Sequence, residues 1–95
     1  MTARARELLN EIEGCVCFKY HGSPYSVAGH SDLYGTIQGS SFFLEGKMPG
    51  KKPTVLQEAF LRRVAKAGAI TGVYYSPEEA VNIVFMGVPQ YVIEW

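Results

Sequence analysis

Three residues near the middle of the chain have types and spacing that could do chemistry together: Asp32 in "GHSDLYG", and Glu45 with Lys47 in "FFLEGKM". Two carboxylates brought side by side can hold a hard divalent cation, and an ammonium beside them can orient water or stabilise developing negative charge. That set suits hydrolysis of a phosphodiester with Mg²⁺ or Mn²⁺, where the metal activates water and neutralises charge building on the phosphate. For an isolated Glu-Gly-Lys, the ordinary reading is instead a surface salt bridge on a solvated sheet face.

Which reading holds depends on strand register. Side chains alternate along a strand, so Phe43, Glu45 and Lys47 face one way, and Phe42, Leu44, Gly46 and Met48 the other. With Gly39 and Ser40 as a two-residue hairpin loop, Gln38 pairs with Ser41, Tyr34 lies opposite Glu45, and Asp32 lies opposite Lys47, diagonal to Glu45. A three-residue loop would set Asp32 opposite Gly46 instead, on the wrong face unless a bulge restored the alignment.

The elements that must position these residues are legible in the pattern. "ARARELLNEIE" has helical spacing and stops at Gly14. "CVCFKYH" reads as a strand, "GSPYSVAGH" as a loop, and "SDLYGTIQ" and "SFFLEGKM" as two strands. "PTVLQEAFLRRVAKAG" is an amphipathic helix with Thr54 and Gln57 placed for a capping box, ended by Gly68. "AITGVYYS" reads as a buried strand, and "SPEEAVNIVF" as a helix capped by Ser76 with Pro77 in its first turn. The tail "GVPQYVIEW" fits a short strand or an apolar arm that a partner subunit would cover. The order predicts a mixed α/β domain, with helices packed on a single sheet.

At 95 residues, the chain has the size of one domain, over 1–95. An apolar fraction of 47% with 19% charged residues is ordinary for a soluble protein, no run is long enough to span a membrane, and the charged N-terminus does not read as a signal peptide. These features place the chain in the cytoplasm. Net charge is zero, which removes the simplest electrostatic argument for nucleic acid, although Lys47, Lys51 and Lys52 are bunched. Cys15 and Cys17 point to one strand face and read as buried free thiols rather than a bridge or a zinc site; His21 and His30 do not complete such a set.

The combination of G-x-x-D-L-x-G, E-x-K, P-G-K-K-P-T and the following Gln resembles the VRR-NUC domain of the PD-(D/E)XK nuclease superfamily, over most of the chain from "CFKYHGSPYSVAGHSDLYG" to "AGAITGVYYSPEEA". The resemblance implies a core of helix, three-stranded antiparallel meander, helix and strand, followed here by a further helix and a short tail. It implies Asp32 and Glu45 as ligands of Mg²⁺ or Mn²⁺, Lys47 as the catalytic lysine, and Gln57 beside the site. The family shows a similar lysine before its H-G pair, which implies that Lys19 and His21 touch DNA phosphate or the site, with an exposed sheet edge as the plain alternative; the turn lysines Lys51 and Lys52, right after the Glu45–Lys47 strand, are placed to meet a phosphate backbone.

Three departures from the family pattern stand out. Ser31 occupies a place where proline is more usual, and Gly46 one where a β-branched residue is more usual, predicting a weaker strand with a packing gap behind it. The first helix usually supplies a further acid, for which Glu7 is the choice here and Glu11 the alternative; each also reads as a solvated helix residue. Gln57 has the capping box as its plain alternative, and "PGKKP" a solvated turn.

The resemblance implies a metal-dependent DNA endonuclease of phage or prophage origin, working in the bacterial host cell. Small stand-alone members look like resolvases that cut four-way junctions as homodimers. The competing expectations are a nuclease for flap, single-stranded or linear DNA, and a catalytically weak DNA-binding or assembly module retaining the fold.

Overall fold

A computed structural model describes residues 1–22 and 27–87. The elements follow the predicted order: α1 (Thr2–Asn10), β1 (Cys15–Lys19), β2 (Leu33–Ile37), β3 (Ser40–Gly46), α2 (Val55–Lys66), β4 (Ile70–Tyr74) and α3 (Pro77–Met86). They form one α/β domain with a four-stranded mixed sheet in the order β1-β2-β3-β4. The meander β1 to β3 is antiparallel, and β4 joins parallel to β3 through α2. The expected strand or arm after Gly87 lies outside the described residues. None of the described helices is long and apolar enough to cross a membrane.

Helices lie on both faces of the sheet. Ala5 and Leu9 of α1 and Ala80, Ile83 and Val84 of α3 bury the main core with Cys15, Cys17, Leu33, Phe42, Leu44, Ile70 and Tyr74. Both cysteines are buried free thiols, as expected. On the other face, α2 packs over β3 and β4, where Phe60 meets Phe43 edge to face. This second layer carries the alternate residues Tyr34, Phe43 and Glu45, so core and candidate site are on opposite sides.

Local signals explain the ends of the elements. Thr54 and Gln57 form the reciprocal capping box, with the Gln57 N–H donating to Thr54 Oγ1 at 3.2 Å and the Thr54 N–H donating to Gln57 Oε1 at 2.9 Å. Ser76 accepts from the Glu79 N–H, with Pro77 in the first turn of α3.

The hairpin register differs from the expected one. Ile37 pairs with Ser40 and Leu33 with Leu44, so the two-residue loop is Gln38 and Gly39 rather than Gly39 and Ser40. Both loop residues have positive φ, 46° and 89°, as a type I′ turn requires, and its twist matches that of the strands it joins. The change moves the register by two residues, which keeps every side chain on its expected face and moves each one along its neighbour.

Sequence patterns gave no sign of how the outer edge of β1 is closed. The Asn10 side chain accepts the Cys17 N–H at 2.9 Å and donates to the Cys17 carbonyl at 3.0 Å, imitating a missing strand. Asn10→Ala leaves both groups without that partner at a half-buried edge, so it is expected to cost about 1–3 kcal/mol, read by urea unfolding. An unchanged midpoint would mean that water replaces the amide without loss.

Candidate functional site

Continuing the β2–β3 ladder one step past Leu33 and Leu44 sets Asp32 directly opposite Glu45, closer than the predicted diagonal. Asp32 is fixed on both sides. Its carbonyl accepts the Tyr20 N–H at 2.7 Å, extending the β1–β2 ladder, and its Oδ2 accepts the Gly46 N–H at 2.9 Å. The preceding Ser31 is buried and donates its hydroxyl to the Leu33 carbonyl at 3.0 Å, so serine ties this turn where proline was the expected residue.

Glu45 is 2% exposed. Lys47 Nζ lies 3.7 Å from its Oε2, while Oε1 is buried with no hydrogen-bond partner. Such an atom is costly to leave unsatisfied. Burial first, and then the Asp32 charge, push the Glu45 carboxyl up to about 7, against the pull of Lys47 and of the Asp32 backbone. The reading of Glu45 and Lys47 as a solvated surface salt bridge does not fit a carboxylate this deeply buried.

Gly46 leaves no gap. A Cβ there would lie 2.7–2.8 Å from the ring and hydroxyl of Tyr74, its partner in the parallel register, so Tyr74 fills the space that a branched residue would take. The Tyr74 hydroxyl donates to Thr2 Oγ1 at 3.2 Å, and its carbonyl accepts the Lys47 N–H at 3.0 Å. One buried ring thus sets the backbone of Gly46 and Lys47 from beneath and ties both to α1.

The other expected residues are placed differently. Gln57 uses its side-chain carbonyl in the capping box at the start of α2. Glu7 pairs with Arg4 on the exposed side of α1, in the layer across the sheet, and Glu11 lines the same surface groove. Among the described residues, no three His, Cys, Asp or Glu side chains gather as a metal-binding group, so neither glutamate is brought to Asp32 and Glu45. Lys19 ends β1 on the cysteine face and His21 follows it, both exposed. Lys51 and Lys52 are exposed in the loop before α2, where the Lys51 carbonyl accepts the Tyr75 hydroxyl at 3.2 Å.

Sequence reasoning missed an aromatic cluster on the Asp32 face. His30 stacks on Tyr20 at 3.6 Å and also contacts Phe60, Tyr34 and Phe43. Its Nδ1 sits 2.8 Å from the Ser31 carbonyl, which can only accept, so Nδ1 carries the hydrogen. The available signal was the strand alternation that pairs Tyr34 with Phe43, once continued to Tyr20. In comparisons with known proteins, the chain matches no family model and no curated protein.

Two predictions follow from this geometry. An acid whose native pKa lies above its ordinary 4.5 contributes stability that is full below that value and is lost as pH rises through about 7. Metal-free protein should therefore lose about 3 kcal/mol from this group between acid and mildly alkaline buffer, and Glu45→Gln should remove that dependence. Equal pH profiles for the two proteins by urea unfolding would assign the titration elsewhere. Separately, Gly46→Val should cost about 1–3 kcal/mol by overpacking against Tyr74, and Tyr74→Ala in the same chain should recover part of it. Simple additivity of the two losses would contradict the contact.

Proposed function

We propose that the chain is a metal-dependent DNA endonuclease with a PD-(D/E)XK core, hydrolysing phosphodiester bonds in branched DNA as a homodimer. The observation that carries this reading is the buried, unpartnered Oε1 of Glu45 opposite Asp32. A buried carboxylate with a raised pKa beside a second carboxylate gains most from a cation shared between them. Two carboxylates with open positions also fit Mg²⁺ or Mn²⁺, which keep water and bind substrate phosphate rather than fill an all-protein cage. The order of helix, antiparallel meander, helix and parallel strand supports the same core.

In this mechanism, Asp32 and Glu45 would hold the cation, with Asp32 kept in place by the Gly46 N–H. When bound, the cation supplies Lewis-acid polarisation of the phosphate and lowers the pKa of a water. Lys47, on the same face, offers its ammonium to the attacking water or to a phosphate oxygen as negative charge grows. Gln57 orders the first turn of α2 through its cap. The exposed lysines Lys51 and Lys52 meet flanking phosphates, as Lys19 and His21 do farther from the carboxylates.

A second reading, a DNA-binding or assembly module without the chemistry, is favoured by one observation: Glu7 is paired with Arg4 and adds no third carboxylate. The two readings separate on cleavage of labelled four-way junction, flap, single-stranded and linear DNA with Mn²⁺ or Mg²⁺, with Mn²⁺ titrated by calorimetry in parallel. The nuclease reading expects junction cutting that falls by at least about a hundredfold in Asp32→Ala, Glu45→Ala and Lys47→Ala. It also expects Mn²⁺ binding to be lost in the first two. Folded wild type that neither binds Mn²⁺ nor cuts any of these DNAs would establish the module instead.

A further inference from the structure

The geometry points to a nucleobase-stacking platform beside the carboxylates, built from Phe18 and Tyr34, which selects DNA whose bases are unpaired next to the scissile phosphate. This rests on the hydrolytic reading above, because that reading puts a phosphate at Asp32 and Glu45. Along β2, Tyr34 follows Asp32 on the same face, about 7 Å away at two residues' rise. Phe18 pairs directly with Tyr34, their rings 5.5 Å apart and tilted by 30°. The aromatic row continues from Tyr34 to Phe43 and ends under Phe60 of α2.

Because α2 packs over β3 and β4 and His30 lies against the half-buried Tyr34, the open part of this row is its β1 end at Phe18. Phe18 and its neighbour Val16 are each 46% exposed, and Thr36 and Ser41 on the same face are exposed and uncharged. A sheet face carrying open aromatic rings is a known way to stack successive bases, and it tolerates sequence because every base has a π-face.

Charge favours bases over a duplex backbone as the occupant. Net charge is zero, and among the described residues the cation seen paired with the carboxylates is Lys47, beside Glu45. A protein tracking duplex phosphates draws its affinity from many such contacts. On the β1 side of the carboxylates the same sheet face carries Val16, Phe18, Tyr34, Thr36 and Ser41, none of them charged, so a nucleotide on that side binds through its base. A second copy adding a strand at this edge is opposed by Asn10, whose amide already holds both backbone groups of Cys17.

The test uses full-length protein in chelator, where no cutting occurs, and follows a fluorescent adenine analogue in a single strand, in the same strand paired, and beside abasic sites. Wild type should quench the analogue and bind the single strand about tenfold more tightly than the abasic one, Phe18→Ala should lose that preference, and Phe18→Trp should keep it. Equal binding of normal and abasic strands by wild type, or unchanged quenching in Phe18→Ala, would overturn the platform. So would sedimentation showing that Phe18→Ala turns a dimer into monomers, since the face would then be a subunit interface. Quenching that depends on Phe18, in a protein that cuts nothing once metal is added, keeps the platform and removes the hydrolytic reading instead.

Discussion

The structure is organised around the burial of one carboxyl group. Glu45 is buried in β3 opposite a second acid, with one oxygen near Lys47 and the other without a hydrogen-bond partner. An apolar side chain there would pack at less cost, because isolated buried charge is among the most unfavourable things a fold can hold. The surrounding parts make the arrangement tolerable. The Gly46 N–H holds Asp32, the parallel pairing of β3 and β4 fixes the strand, and Lys47 offsets part of the charge.

Division of labour between the two sheet faces makes this strain affordable. The α1 and α3 side is a continuous apolar core of small helix residues and larger strand residues. On the other side, α2 and the His30 ring cover part of the sheet and leave Val16 and Phe18 at the β1 margin exposed. Most of the hydrophobic stabilisation therefore comes from the face away from the acidic pair, and the face that holds the pair can carry charge and exposed aromatic surface.

Much of this was legible in the residues, and the exceptions have physical causes. Helix caps are local, so Thr54, Gln57, Ser76 and Pro77 announced their helices correctly. Strand alternation is also local, so it placed Glu45 and Lys47 on one face. The hairpin register is not local in the same sense: Gln38-Gly39 and Gly39-Ser40 differ by one step in the loop but by two in the pairing. Nothing in the composition of Gln38 advertised its left-handed backbone. Long-range contacts were invisible for the same reason. The Asn10 clasp on Cys17 and the filling of the Gly46 space by Tyr74 each depend on what the fold brings near. Gly46 read as a weakness because its compensating ring lies 28 residues downstream.

That ring makes positions 46 and 74 a single unit of inheritance. A larger residue at 46 is admissible only in a chain that already has a smaller one at 74, and the reverse change opens a void under Asp32's anchor. Either step taken alone would disturb the backbone that holds the acidic pair, so a lineage moving between the two solutions must cross a poorly functioning intermediate or change both together. Substitution at these two sites should therefore be correlated among descendants of this chain.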